Sequence, residues 1–156
     1  MEKRFFRFND GALRTEHRGA PFTVDGIHYM NAGDRAERAV KLALGYDARK
    51  DANTTFDVGS DIPELCASVK SSKATLTSAH IGDGFEAILR AYFARTASKL
   101  WIWAVQSEDA LTIYVMNRYE FEAFTRAFAS IQCGVIRYKY TSSKMIRWLD
   151  ERATER

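Results

Sequence analysis

Two apolar segments in the second half of the chain constrain its fold most strongly. LWIWAV (100–105) and LTIYVM (111–116) are continuous apolar runs of strand length, and the polar sequence QSEDA separates them. Strands that are apolar on both faces are usually buried between covering layers. The two segments therefore predict a central hairpin in a sheet that other elements cover.

Amphipathic helices are predicted before and after this hairpin. Asp34 is the predicted N-cap of a helix that runs to Leu44, and Asp83 is the predicted N-cap of a second helix with apolar residues at helical spacing. Asn117 is the predicted N-cap of a third helix, and a fourth helix is predicted to begin at Ser142. The order of elements predicts an α/β (α+β) fold, with a single-domain mixed β-sheet flanked by helices.

The remaining strands are predicted to be short. Residues 1–30 alternate aromatic and polar positions around turn residues, which predicts an N-terminal β extension, and strands are also expected within 54–76 and 135–140. The chain has no internal repeat and no Pro/Gly/Ser-rich linker. Because 46% of the residues are hydrophobic, one core can form, and we expect a single domain over 1–156.

No segment indicates a membrane or a secretory pathway. No stretch approaches the roughly 20 apolar residues of a membrane span, and the N-terminal residues MEKRFFRFND contain no apolar signal core. Cys66 and Cys133 lie far apart in the sequence, so they predict neither a disulfide framework nor a zinc site. We therefore expect a cytoplasmic protein with no membrane partner.

The segment DIPELCASVKSS (61–72) brings an acid and a lysine to neighbouring positions. If the chain turns at Pro63, the strands before and after the turn pair antiparallel, and Asp61 lies opposite Ser68. Lys70 then lies on the same face as Ser68, because side chains alternate with a period of two. A magnesium-dependent phosphodiesterase needs such a carboxylate for the cation and a lysine for the attacking water and the phosphate charge.

The longer segment LGYDARKDANTTFDVGSDIPELCASVKSS (44–72) resembles the active-site segment of the PD-(D/E)XK nuclease superfamily, in particular that of the MutH-type and GATC-cleaving restriction endonucleases. In both, a helix ending in Leu-Gly precedes an Asp-x-Pro-Glu-Leu motif, and a lysine follows after the same interval. The resemblance implies a restriction-endonuclease-like fold. It also implies a small Mg²⁺-dependent (or Mn²⁺-dependent) DNA endonuclease of restriction, repair or mobile-element type.

The resemblance assigns roles to residues of this segment. Asp61 matches the metal ligand of the family, and Lys70 matches the catalytic lysine. Ser68 stands where the family has its second acid, which is the principal departure from the motif. Ser68 is therefore included in the predicted catalytic set as a neutral replacement.

Other acids are candidates to complete the predicted metal site. The first helix has Lys41 nearest the place where the family has an acid, whereas Glu37 lies one turn earlier on the same face. Glu37 is therefore the predicted third residue of the catalytic and metal-binding set. Glu64 in the turn is a further metal candidate, and Asp57 is a reserve.

Cations alternate with aromatic and hydroxyl residues in IRYKYTSSKMIRW (136–148). Such a pattern suits phosphate contact and base stacking, although the net charge of the chain is only +3. DNA is the expected partner, and the predicted DNA-binding residues are Ser71, Ser72, Lys73, Arg137, Lys139 and Lys144.

Two alternatives to a working nuclease stay open at the level of sequence. The first is a catalytically impaired nuclease fold that acts as a DNA-binding or assembly module. The second is an interaction protein without a nucleic-acid role. The sequence also leaves open whether two chains form a homodimer to cut both strands of DNA.

Overall fold

The computed structural model of the protein describes residues 1–7, 22–24, 27–29, 32–44, 67–70, 74–76, 84–106 and 110–155. Within these ranges the chain forms four helices and ten strands. The helices are α1 (Ala32–Ala43), α2 (Phe85–Arg95), α3 (Arg118–Phe128) and α4 (Ser143–Arg152). The strands are β1 (Glu2–Arg7), β2 (Phe22–Val24), β3 (Ile27–Tyr29), β4 (Ala67–Lys70), β5 (Thr75–Leu76), β6 (Leu100–Gln106), β7 (Ala110–Met116), β8 (Ala129–Gln132), β9 (Val135–Tyr138) and β10 (Thr154–Glu155).

The main sheet has five strands in the order β10-β1-β7-β6-β4. β6 and β7 pair antiparallel at its centre, which confirms the predicted hairpin. β4 pairs in parallel with β6, and β10 pairs in parallel with β1, so the sheet is mixed. β1 pairs along its whole length with β7. The predicted N-terminal extension therefore contributes its first strand to the central sheet.

One face of the main sheet packs against α1. Ile102 and Ala104 of β6 lie in one buried cluster with Ala36, Ala39 and Val40 of the helix. These helical residues recur at the spacing of one helix face, and each is almost completely buried. The predicted apolar face of the first helix is thereby confirmed, and α1 forms the covering layer on this side.

The other face of the main sheet carries an aromatic cluster. Trp101 stacks on Phe121 of α3, with ring centroids 5.1 Å apart, and Trp103 contacts Phe124 and Tyr138 at 4.9 and 5.4 Å. Apolar residues of α2, α4 and β9 complete this layer. The sheet is therefore covered on both faces, and the fold is a mixed α+β fold as the apolar strands predicted.

A small sheet with the order β5-β9-β8 joins the aromatic layer. β8 and β9 form a hairpin whose turn residues, Cys133 and Gly134, both have positive φ angles of 51° and 77°. Two successive positive φ angles are the geometry of a type I′ turn, whose twist matches that of a hairpin. The sequence did not predict β8, because its four residues, ASIQ, mix apolar and polar types and are mostly exposed.

The predicted N-cap of the third helix is confirmed, and the fourth helix begins at Ser143, one residue after the predicted start, with Ser142 as its N-cap. The Asn117 side chain accepts a hydrogen bond from the Glu120 amide, and the Glu120 carboxylate accepts one from the Asn117 amide, both at 2.9 Å. The Ser142 hydroxyl accepts from the Met145 amide at 3.2 Å. These contacts, which are reciprocal only between Asn117 and Glu120, satisfy amides that have no partner inside the helix.

The predicted N-caps of the first two helices are wrong, the first by three residues and the second by one. α1 begins at Ala32, so Asp34 lies within its first turn. The N-cap of α2 is Gly84, one residue after Asp83. A cap contributes only about 1 kcal/mol, so packing of the apolar helix face can shift the helix start by this amount. No helix in the described ranges is long and apolar enough to cross a membrane.

Candidate functional site

Lys70 is the last residue of β4, the outermost described strand on one side of the main sheet. After β4 the chain forms β5 of the small sheet and then α2 before it returns as β6. β4 and β6 are therefore parallel strands joined by a crossover that contains α2, which is the arrangement of a β-α-β unit. In such units ligands bind beyond the carboxyl ends of the strands. Lys70 lies at this end of β4, and its side chain is half-buried.

The pairing register assigns Lys70 to one face of the sheet. Lys70 pairs directly with Trp103 of β6, and directly paired residues project from the same face. Trp103 belongs to the aromatic cluster, whereas α1, which carries Glu37, packs on the opposite face. Glu37 and Lys70 thus approach the sheet from opposite sides. The described residues do not place them on one face, and a shared site would have to form around the outer edge of β4.

Several predicted site residues lie outside the described residues. Ser68 is not one of them, because it is part of β4 and pairs in register with Trp101. Asp61, Glu64 and the reserve Asp57 lie in the undescribed range 45–66, and the predicted DNA contacts Ser71, Ser72 and Lys73 lie in the undescribed range 71–73. The described ranges contain no group of three or more His, Cys, Asp or Glu residues that could hold a metal ion. The metal site therefore remains a prediction.

The two tryptophans of β6 differ in their polar contacts. The Trp101 indole N–H donates to the Tyr92 hydroxyl at 2.8 Å. The Trp103 indole nitrogen is buried and has no hydrogen-bond partner in the part of the chain that the structure describes, although a buried donor without a partner costs about 1–3 kcal/mol. Trp103 is the register partner of Lys70. The strand pattern does not reveal this difference, because both tryptophans have the same spacing and apolar neighbours.

Arg137 lies on the outer face of the small sheet. Its neighbours Ile136 and Tyr138 are buried in the aromatic cluster, so the alternation of β9 places Arg137 on the opposite side. Thr75 and Ser130 pair with it in register from the two adjacent strands. Its Nε atom is buried and has no hydrogen-bond partner among the described residues. The register thus places a partly buried cation between two hydroxyl residues, and these residue types suit contact with an anion.

A second group of cations follows at the start of α4. Lys139 and Lys144 are exposed, Tyr140 is 62% exposed, and the first turn of α4 contains no acid. The partial positive charge of a helix N-terminus adds to that of the lysine in the same turn. We call the group formed by Arg137, Lys139, Tyr140 and Lys144 the basic surface. Its residue types fit the predicted contact with a phosphate backbone.

No family model, curated protein or solved structure matches this chain. The nuclease hypothesis therefore depends on the residues of 44–72 and on the arrangement of α1, β4, α2 and β6.

Proposed function

We propose that this protein is a small Mg²⁺-dependent DNA endonuclease with a restriction-endonuclease-like fold. The observation that carries the proposal is the position of Lys70 at the carboxyl end of β4, in a parallel β-α-β unit with α2 and β6. The segment with the nuclease-like motif leads directly into β4. Its lysine therefore belongs to the strand end at which α/β sheets bind ligands.

In this proposal Lys70 orients the attacking water and offsets the negative charge of the scissile phosphate. Asp61 is the principal metal ligand, and Glu64 or Glu37 supplies a further carboxylate. Carboxylate oxygens are the ligands that Mg²⁺ and Mn²⁺ prefer, so the donor set fits the ion. The bound ion would polarise the phosphate and lower the pKa of its water. Ser68 contributes a neutral hydroxyl where an acid is usual, so we expect weak metal affinity.

A second candidate is a DNA-binding or assembly module that has lost catalysis. It is favoured by the packing of α1, which carries Glu37 on the face of the sheet opposite to Lys70. In this case the basic surface would contact DNA without cutting it. Both candidates bind DNA, but only the endonuclease cuts it.

Incubation of the purified protein with supercoiled plasmid DNA separates the two candidates. The endonuclease should produce nicked circles with Mg²⁺ or Mn²⁺, and none in EDTA. Asp61→Asn should abolish this activity and leave DNA binding intact. If the parent protein shifts DNA in a gel but cuts it with neither metal, it is a binding module and the endonuclease proposal is wrong.

A further inference from the structure

A second charged site lies between α2 and α3, away from the carboxyl end of β4. The two helices border a surface cavity of about 130 Å³. Its polar and aromatic lining alternates acids and arginines along both helices. The side chains that matter for its chemistry are Glu86, Arg90 and Phe93 of α2, and Arg118, Glu122 and Arg126 of α3.

Arg126 already has two carboxylate partners in this cavity. One of its terminal nitrogens donates to Glu86 Oε2 at 3.1 Å and to Glu122 Oε1 at 2.9 Å, and the other donates to the second oxygen of Glu86. The hydrogen bond from Arg126 lowers the pKa of Glu86, so this carboxylate is ionised at neutral pH. Both acids of the cavity are thus engaged by one arginine.

Two arginines of the cavity form no hydrogen bond to an acid in the described part of the chain. Arg118 has no acidic partner there, and Arg90 interacts with Glu86 only through its charge, which helps to lower the pKa of that carboxylate. The Arg118 guanidinium lies over the Phe93 ring, 4.8 Å from its centroid. Stacking occupies the flat face of a guanidinium and leaves the N–H groups at its edge available. With three arginines and two glutamates, the lining carries a formal charge of +3 − 2 = +1.

The cavity has room for a small anion. At about 30 Å³ per water, it holds roughly four water molecules, which is enough for one tetrahedral oxyanion. The N–H groups of arginine match the oxygens of a phosphate in spacing and charge. We propose that the cavity between α2 and α3 binds a phosphate group, held by Arg90 and Arg118 and positioned beside the fixed Arg126. The proposal does not depend on the endonuclease activity.

Titration with inorganic phosphate tests this proposal. Binding can be followed by the NMR signals of the arginine Nε–Hε groups, with sodium chloride at equal ionic strength as the reference. Arg90→Gln and Arg118→Gln should each weaken phosphate binding at least about tenfold, which corresponds to about 1.4 kcal/mol. The matched control is Arg95→Gln, because Arg95 is an exposed residue of α2 outside the cavity lining. This control should bind phosphate like the parent protein.

Two results would overturn the proposal. The first is equal phosphate affinity in the parent and all three variants, which would show that the arginines only form ion pairs between the helices. The second is a parent protein whose arginine signals do not respond to tens of millimolar phosphate. Arg90 is exposed, so the Arg90→Gln variant should stay folded even if loss of the Phe93 contact destabilises the Arg118 variant.

Oligonucleotides then distinguish the sources of the phosphate. The probes are one short single strand with a 5′-phosphate and the same strand without it. If Arg90→Gln weakens binding of both strands, the cavity takes an internal phosphodiester. If it weakens only the phosphorylated strand, the cavity takes a terminal phosphate. If it affects neither strand but abolishes inorganic phosphate binding, the ligand is a free phosphate.

Discussion

A buried hydrogen-bonded pair between α3 and β9 provides a quantitative test of the aromatic core. The Thr125 hydroxyl donates to the Phe121 carbonyl at 2.8 Å and also contacts the Tyr138 hydroxyl. A threonine hydroxyl has one proton to donate. Tyr138 must therefore donate its own proton to Thr125. Burial raises the pKa of Tyr138, so the phenol remains protonated at neutral pH.

The direction of this hydrogen bond predicts unequal costs for two substitutions. Thr125→Val leaves the Tyr138 proton buried without an acceptor, because Tyr138 is only 2% exposed, and should destabilise the protein by about 1–3 kcal/mol. Tyr138→Phe leaves the Thr125 proton bonded to Phe121 and should cost about 0.5–1.5 kcal/mol. The double variant removes both polar groups, so its cost should be smaller than the sum of the two.

Urea denaturation of the four proteins measures these free energies. For a chain of this length, a loss of 1 kcal/mol lowers the melting temperature by about 2–4 °C, so thermal melts give an independent check. A Tyr138→Phe cost larger than that of Thr125→Val would refute the assigned direction. Additive costs in the double variant would show that the two hydroxyls do not interact.

Three further predictions concern charge and metal binding. Lys3 donates to Asp150 at 2.8 Å and lowers the pKa of that carboxyl, so this contribution to stability is present above about pH 4 and lost as the pH falls through the lowered pKa. Asp150→Asn should therefore reduce the loss of urea stability between pH 7 and pH 3, and an unchanged loss would contradict this. Arg137→Gln and Lys139→Gln should each reduce the slope of log affinity for DNA against log salt by about one, whereas unchanged slopes would remove these residues from the DNA contact. Ser68→Glu should raise Mn²⁺ affinity in calorimetry, because it adds a carboxylate opposite Asp61 in the predicted hairpin, and equal affinity would argue against that hairpin.

The parts of the fold that were predictable are those with local signals. β6 and β7 are continuous apolar runs, whereas strands with one face in water alternate apolar and polar residues. Asn117 followed by Glu120 is a complete capping signal within four residues. β8 lacks such a signal. It forms because the turn at Cys133 and Gly134 brings it beside β9. The two-residue β10 depends in the same way on its partner β1.

The candidate sites depend on contacts between distant segments. The sequence of β9 alone shows that Arg137 alternates with the apolar Ile136 and Tyr138, and this alternation predicts that Arg137 lies on the outer face of the small sheet. The face that Lys70 occupies is set by its pairing with Trp103, which no pattern within 61–72 specifies. The cavity between α2 and α3 is also non-local, because Arg90 and Arg118 belong to helices separated in the chain by the β6–β7 hairpin.

The most direct test of the endonuclease proposal compares Lys70→Ala with Lys99→Ala. Lys99 is exposed and immediately precedes β6, at the amino end of the same parallel strand pair. Single-turnover cleavage of DNA with Mn²⁺ and equilibrium DNA binding should be measured for both variants and the parent. Lys70→Ala should lower the cleavage rate at least about 100-fold and change DNA affinity by no more than a few fold, whereas Lys99→Ala should match the parent in both. Cleavage by Lys70→Ala at the parent rate would contradict the proposal that Lys70 is the catalytic lysine.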